Sequence, residues 1–199
     1  MGLKVGITGG IGSGKSFVAN IFKVMGIPFY DADREAKLLM NEHPAIQEGL
    51  IAAFGPQVYT ADGSLDRKWL AEQVFGDGDK LNVLNGIVHP IVIKHGEEWA
   101  LRQASPYSLK EAALLIESGS YLSLDCLILV SAPEELRIER VMLRDQISRE
   151  AVIARIKKQM PEEEKKKYAD FIVLNDGISP LLPQILNIHQ QILKREWSK

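Results

Sequence analysis

Apolar runs of strand length alternate along this chain with longer segments of helical periodicity. The five runs are Lys4–Thr8, Pro28–Asp31, Leu109–Ile116, Leu124–Val130 and Asp170–Leu174. Such alternation is typical of a parallel sheet with helices on both faces. We therefore predict an α/β fold of three layers around a five-stranded parallel sheet, with residues 1–199 forming a single domain.

The interval between the second and third runs, residues 36–106, has no convincing strand pattern. Its helical patches are interrupted at Asn41–Pro44, Ala61–Ser64 and Phe75–Asp79, whose residues favour turns. Because this interval is too long for a single crossover helix, we expect a helical insertion that binds a second substrate. An insertion with a purely structural role is the alternative.

Three later segments are also helical in pattern. Residues 134–160 are basic, and the spacing of Arg137, Arg140 and Arg144 places all three on one helix face. Such a face is usually only solvated, but in a phosphate-binding protein it favours a lid over the phosphates. Pro161–Lys167 resembles a solvated helix, and Pro180–Trp197 an amphipathic one whose inward residues are Ile185, Ile188, Ile192 and Leu193.

Composition narrows the class of protein. The chain has 199 residues and a formal net charge of −2, so its charge gives no reason to expect nucleic acid as a partner. No apolar stretch approaches the length of a membrane span, and the single cysteine, Cys126, lies in an apolar run. We expect a cytoplasmic protein without a membrane partner, either a monomer or a small homo-oligomer.

The most specific motif is Gly9-Gly10-Ile11-Gly12-Ser13-Gly14-Lys15-Ser16, between the first strand and a helical pattern. Its glycines allow positive φ and bring backbone N–H groups close to a polyphosphate, and the following helix presents its positive end. Lys15 would bind the β- and γ-phosphates, and Ser16 would ligate Mg²⁺. We expect ATP to contact Gly10, Ile11, Gly12, Ser13, Gly14, Lys15, Ser16, Phe17 and Arg144.

Acidic residues follow the second and third apolar runs. Asp31 and Asp33 end the second run, where one could accept a proton and the other hold Mg²⁺. Asp33 could instead cap the helix that starts near Arg34. Glu117 follows four apolar residues, so we predict that it lies across from Ser16 and contacts Mg²⁺ through water; capping the turn at Ser118-Gly119 is the alternative.

His89 precedes Pro90 in an apolar stretch. Pro90 suits the first turn of a new helix, and His89 could cap that helix or contact a ligand. A lone histidine in such a stretch is more often packed than functional.

The sequence also excludes some nucleotide-binding classes. Leu174-Asn175-Asp176-Gly177 lacks the lysine of a guanine-reading Asn-Lys-x-Asp motif. A phosphate loop, a carboxylate near the second strand, a helical insertion and a basic lid together match a small-molecule kinase.

The chain resembles the dephospho-CoA kinase family over nearly its whole length. The resemblance rests on the order and spacing of Thr8–Ser16, Asp31-Ala32-Asp33, His89-Pro90, Leu114–Glu117, Arg140, Arg144-Asp145, Arg155, Gln159, Ala169-Asp170 and Asn175-Asp176-Gly177. It implies a P-loop kinase fold, with ATP, Mg²⁺ and dephospho-CoA as ligands. The phosphoryl group would pass to the ribose 3′-hydroxyl, the last step of coenzyme A synthesis.

The resemblance also implies roles for individual residues. Asp33 would be the base, Lys15 and Arg140 would stabilise charge, and Asp31, His89 and Glu117 would contact the acceptor. Phe17 departs from the Thr or Ser common after the loop, and Ala113 from the Pro that usually begins the family's Pro-Leu-Leu-Phe-Glu stretch. Another small-molecule kinase, or a nucleotide switch that binds a protein, are the competing interpretations.

Overall fold

A five-stranded parallel sheet forms the centre of the computed structural model, which describes residues 2–194. The strand order is β2-β3-β1-β4-β5. The connection after β1 runs toward one edge of the sheet, and the connection after β4 runs toward the other. Because the two connections diverge, a crevice opens between the carboxyl ends of β1 and β4, and ligands bind at such a crevice in sheets of this kind. The strands are β1 (Leu3–Thr8), β2 (Phe29–Asp31), β3 (Tyr107–Glu111), β4 (Cys126–Ser131) and β5 (Phe171–Leu174).

The third strand was predicted wrongly, because it spans Tyr107–Glu111 and not Leu109–Ile116. All five of its residues are buried, although three of them are polar. Lys110, for example, donates from Nζ to Ser120 Oγ at 2.9 Å. Polar side chains of this strand can be buried because they are paired with other polar groups. Hydrophobicity alone therefore does not identify the strand. The apolar residues Leu115 and Ile116 lie beyond it and pack with Leu127 of β4.

Two helices cover one face of the sheet, and the residues after β3 pack on Leu127 of β4. Helix α1 spans Lys15–Val24 and helix α9 spans Leu181–Lys194. Ile185, Ile188 and Ile192 of α9 are buried as predicted, whereas Leu193 is 47% exposed because it lies about 100° round the helix from Ile192. The predicted continuation to Trp197 lies outside the described residues. The main core comprises Val5, Ile7, Val18, Phe22, Tyr107, Leu109, Cys126, Ile128, Val173, Ile185 and Ile188.

A second compact unit comprises Ala32–Glu98 and is helical. Its helices are α2 (Ala32–Glu42), α3 (Pro44–Phe54), α4 (Arg67–Val74) and most of α5 (Gly78–Leu101). The loop between α3 and α4 is tied back to α2, since Tyr59 Oη donates to the Met40 carbonyl at 2.6 Å and Leu65 N to Asn41 Oδ1 at 2.9 Å. The buried residues include Ile46, Leu50, Val58, Leu65, Leu70, Val88 and Val92.

The limits of this unit differ from residues 36–106. Helix α2 begins directly after β2, and the ring of Trp99 packs 5.3 Å from that of Tyr30 in β2. The last residues of α5, from Trp99 onward, therefore belong to the first compact unit, which contains the sheet. Pro90 lies inside α5 and does not start a new helix. A proline ring inside a helix crowds the carbonyl of the residue one turn earlier, which here is Gly86.

Three short helices follow β4. They are α6 (Glu134–Asp145), α7 (Arg149–Ile156) and α8 (Glu162–Lys166). As predicted for a solvated helix, exposed pairs join Lys166 to Glu163 at 2.6 Å and Lys167 to Glu164 at 2.7 Å.

Lys165 is the exception in this segment. It is only 1% exposed, and its Nζ lies 2.8 Å from Glu117 Oε1. A charge removed from water is tolerated when an opposite charge lies close to it. This pair therefore anchors α8 to the loop that follows β3.

We predict that Glu117→Gln lowers the free energy of unfolding by about 3 kcal/mol. Lys165→Met should cost less, because Glu117 is 21% exposed and water can solvate it, whereas the unpaired Lys165 ammonium would stay buried. Urea denaturation of both variants measures the difference. Lys167→Met, which removes an exposed pair, is the control and should cost less than about 1 kcal/mol. Equal losses in all three variants would contradict this account.

Candidate active site

The phosphate loop, residues 9–16, connects β1 to α1. Gly14 is the N-cap of α1 and has a φ of 86°, a conformation that side-chain-bearing residues rarely adopt. The side chain of Asn175, just after β5, lies so close to Gly14 that a Cβ there would collide with Nδ2. The same Nδ2 donates to the Ser13 carbonyl at 2.7 Å. A residue remote in sequence thus supports the loop at the start of the helix, where an anion binds favourably.

A cavity of about 210 Å³ lies over this loop. Seven of its eight lining residues are among those predicted to contact ATP or to stabilise charge: Lys15, Ser16, Arg140, Arg144, Gly10, Gly12 and Gly14. Val141 completes the lining. An anion in this cavity would meet three cationic side chains as well as the end of α1.

Arg140 is joined to the loop through Asn175. Its Nη1 donates to the Asn175 carbonyl at 3.1 Å and its Nη2 approaches Asn175 Oδ1 at 3.3 Å. Since Asn175 also holds Ser13, the position of the Arg140 guanidinium depends on the shape of the loop. The sequence singled out Asn175 only as part of a motif and suggested no role for it.

Arg144 is more exposed and is held differently. Its Nε donates to Asp145 Oδ1 at 2.7 Å, and Arg155 Nη1 contacts Asp145 Oδ2 at 2.8 Å. The hydrogen bond from Arg144 is the main reason that the pKa of Asp145 is lowered, and the same bond raises the pKa of Arg144. The carboxylate therefore orders two basic residues of the segment predicted to form a lid.

The acid beside the loop is Glu111, and the prediction that Glu117 lies across from Ser16 was wrong. Ser16 Oγ donates to Glu111 Oε1 at 2.7 Å, and Lys15 Nζ lies 3.1 Å from the same oxygen. Glu117 instead accepts from Met160 N at 3.1 Å and pairs with Lys165. The cause is the position of β3, whose last residue is Glu111.

The sequence did not single out Glu111 because two acids, Glu111 and Glu117, each stand at the end of a plausible strand. The five residues Tyr107–Glu111 also end on an acid, but their polar character made the apolar run before Glu117 the stronger pattern. A weak signal was available, since an acid at the end of a strand next to β1 is the usual arrangement for a magnesium-bound phosphate.

Asp31 is the last residue of β2, and it pairs in register with Glu111 on β3. Two carboxylates therefore stand on adjacent strands at the carboxyl edge of the sheet. Asp33 lies two residues further on, inside the first turn of α2. It is not the N-cap that the alternative interpretation required, because α2 begins at Ala32. The roles of Asp31 and Asp33 stay predictions.

His89 and Phe17 are placed on helices. His89 is half-buried within α5, and this burial lowers its pKa. Phe17 is 62% exposed in the first turn of α1. Contacts of His89 with the acceptor and of Phe17 with ATP also stay predictions.

The residues near the loop have the donor atoms that Mg²⁺ prefers. Ser16 supplies a hydroxyl and Glu111 a carboxylate, both oxygen donors. Within residues 2–194 no three His, Cys, Asp or Glu side chains form a group that could hold a metal. Magnesium typically binds one or two protein groups together with substrate phosphates and waters. The same residues include no helix long and apolar enough to cross a membrane.

Comparison with known proteins identifies the family. A family model described as dephospho-CoA kinase matches residues 3–180. The chain is 42% identical to the dephospho-CoA kinase of Bacteroides fragilis (strain YCH46) over 189 residues, which cover 94% of this chain and 92% of that protein.

Two solved structures are similar over nearly their full lengths. TT1252 from Thermus thermophilus is 37% identical with a TM-score of 0.82, and 99% of each chain is covered. Dephospho-CoA kinase from Campylobacter jejuni is 29% identical with a TM-score of 0.72, and 98% of each chain is covered. The P-loop kinase fold predicted from the sequence is confirmed. From its sequence, its fold and its phosphate loop, this chain belongs to the dephospho-CoA kinase family.

Proposed function

We propose that this chain transfers the γ-phosphoryl group of MgATP to the ribose 3′-hydroxyl of dephospho-CoA. Its family catalyses this final step of coenzyme A synthesis, and the proposal assigns the step to particular residues. The observation that carries it is the cavity over the phosphate loop, where Lys15, Arg140 and Arg144 converge. Phosphoryl transfer depends on such an arrangement, because it proceeds mainly by positioning and charge stabilisation.

Lys15 and Arg140 are proposed to stabilise the negative charge that is spread over the phosphoryl oxygens. Lys15 is held by Glu111 at 3.1 Å, and Arg140 by Asn175. Both cations are thus oriented before a nucleotide binds, and less reorganisation is needed during the reaction.

Ser16 and Glu111 are the residues proposed to hold Mg²⁺. When bound, the ion would neutralise phosphate charge and help to orient the β- and γ-phosphates. Glu111 has a further role without the ion, since it accepts from Ser16 and pairs with Lys15. It therefore sets the positions of both side chains at the start of α1.

Asp33 is proposed as the base that accepts the proton of the 3′-hydroxyl. It follows the carboxyl end of β2, the sheet edge at which Asp31 and Glu111 also lie. Carboxylates in this position suit proton acceptance from an alcohol nucleophile. The helical unit Ala32–Glu98, which carries both Asp33 and His89, is proposed to bind the acceptor.

Incubation with MgATP and a panel of acceptors tests the acceptor. We expect ADP release with dephospho-CoA and none above background with AMP, shikimate or pantetheine. Release with another acceptor alone would indicate a different small-molecule kinase. Slow hydrolysis that no acceptor stimulates would indicate a nucleotide switch.

We predict that Asp33→Asn lowers kcat by about 10²-fold or more, because the amide cannot accept the proton. ATP affinity should be unchanged, since Asp33 is not proposed to bind ATP. Steady-state kinetics and nucleotide titration measure the two effects. Asp79→Asn, at an exposed position of the same unit, is the control for the loss of one negative charge. A larger loss in Asp31→Asn than in Asp33→Asn would assign the base to Asp31.

We predict that Glu111→Gln raises the Mg²⁺ concentration for half-maximal activity by about tenfold, the usual scale for a group that orients a metal ligand. The loss of charge also weakens the hold on Lys15. Activity titrated with Mg²⁺ at saturating substrates gives the value. Glu139→Gln, exposed on α6, should behave as wild type. An unaltered Mg²⁺ dependence in Glu111→Gln would place the ion elsewhere.

The cytoplasm is the proposed location, and the predicted monomer or small homo-oligomer stays a prediction. Cys126 is a free thiol and is buried, which suits a reducing compartment but does not require one.

A further inference from the structure

Arg137 lies on the same helix as Arg140 and Arg144 but is buried. Its side chain is only 7% exposed, whereas that of Arg144 is 63% exposed. The guanidinium rests against the backbone of Gly10 in the phosphate loop. A Cβ on Gly10 would lie 3.3 Å from Cζ of Arg137 and closer still to its Nη1. The guanidinium can therefore reach the loop only because residue 10 has no side chain.

The guanidinium is held there by loose ionic contacts. Its Nη2 lies 3.6 Å from Glu134 Oε2, and its Nε lies 3.9 Å from Glu162 Oε2. Both distances exceed hydrogen-bond length. Within residues 2–194, Nε of Arg137 and Oε2 of Glu162 are buried without a hydrogen-bond partner. Such groups are rare in folded proteins, and a missing ligand is one explanation for them.

A second cavity, of about 330 Å³, is lined by Arg137 and Gly10. It lies where residues after β1 meet Ala132 and Pro133 after β4, at the crevice between the two strand ends. Gly10 also lines the cavity over the phosphate loop, so the two cavities share that residue. An oxygen of a polyphosphate that extends past Gly10 would come next to the Arg137 guanidinium.

The surroundings hold both the guanidinium and the loop in place. Glu162 is fixed through its other oxygen, Oε1, which accepts from Ser131 Oγ at 2.5 Å. Gln159 Oε1 accepts from Ile11 N at 2.9 Å. The peptide group between Gly10 and Ile11 is therefore held by the stretch after α7 that also carries Glu162. The guanidinium is thereby kept at the loop, although its Nε has no hydrogen-bond partner among the described residues.

We propose that Arg137 is a further ligand of the γ-phosphoryl group of ATP, in addition to Lys15 and Arg140. This assignment rests on the proposed function, because it requires ATP in the phosphate loop. On binding, the guanidinium exchanges its distant contacts with Glu134 and Glu162 for charge-assisted hydrogen bonds to γ-phosphate oxygens, which are shorter and stronger. During transfer it shares the charge that develops on those oxygens.

Nucleotide affinities of Arg137→Gln test the proposal without any acceptor. ADP lacks the γ-phosphate, whereas the non-hydrolysable analogue AMP-PNP has a phosphoryl group in its place. By calorimetry with Mg²⁺ present, we expect ADP affinity to be unchanged and AMP-PNP affinity to fall by about tenfold, the scale of one lost charge-assisted contact. Arg149→Gln removes an exposed arginine paired with Glu135 and is the control for charge; it should change neither affinity.

The outcomes separate a ligand from a structural residue. An equal fall in both affinities, or no fall in either, would overturn the proposal, whatever the melting temperature of the variant. Glu162→Gln provides a second test should Arg137→Gln fail to fold. It keeps an oxygen for Ser131 but removes the charge that competes for Arg137, so AMP-PNP should bind more tightly and ADP as before. Weaker or unaltered AMP-PNP binding would count against the proposal.

A failure of the proposed function itself would look different. If the wild-type protein bound neither ADP nor AMP-PNP, the proposed ATP site would be wrong, and so would the proposed role of Arg137. Wild-type protein that bound both but phosphorylated another acceptor would change the assigned acceptor, and the comparison of ADP with AMP-PNP would still support or overturn the role of Arg137.

Discussion

The site depends on a loop of backbone N–H groups that must keep its shape without a bound anion. Side chains from elsewhere in the chain supply that support. Asn175 holds the Ser13 carbonyl, Glu111 orients Lys15 and Ser16, and Gln159 accepts from Ile11 N. Each contact satisfies a polar group that would otherwise lie unpaired at the sheet edge. Glu111 ends β3, Asn175 follows β5 and Gln159 follows α7, so the strand order that brings these segments together also determines the geometry of the nucleotide site.

Contacts of Glu162 and Lys165, at reduced solvent exposure, connect the segment 156–165 to the loop after β3, to the end of β4 and to α6. Lys165 binds Glu117 in the loop after β3, and Glu162 links Ser131 to Arg137. Breaking such a pair by removing one partner is costly, because the other charge is left in a poor solvent. The same arrangement keeps basic side chains near the phosphate loop in the absence of a ligand. A loss of activity in a variant therefore does not distinguish a structural role of these charges from a functional one. The affinities of the variant for nucleotides do distinguish the two roles.

Four of the five strands and the phosphate loop could be predicted because their signals are local. A strand inside the sheet such as β4, whose residues are all buried, needs consecutive apolar residues, and the loop needs glycines before Lys15 and Ser16. The prediction failed at β3, where Lys110 and Glu111 are buried by pairing with Ser120, Lys15 and Ser16. Those partners are distant in sequence, so no local pattern could show that polar residues belong inside.

The sequence by itself determined the class of fold, the nucleotide loop and the family, because backbone conformation in the loop and apolar periodicity are encoded residue by residue. Only the tertiary structure decided which acid faces Ser16 and which arginine is buried. Helical periodicity placed Arg137, Arg140 and Arg144 on one face without distinguishing them. Packing of α6 against the loop and α7 then left Arg144 exposed, tied Arg140 to Asn175, and buried Arg137 beside Gly10. Burial and charge pairing depend on neighbours brought together by the strand order, and for that reason they could not be read from spacing alone.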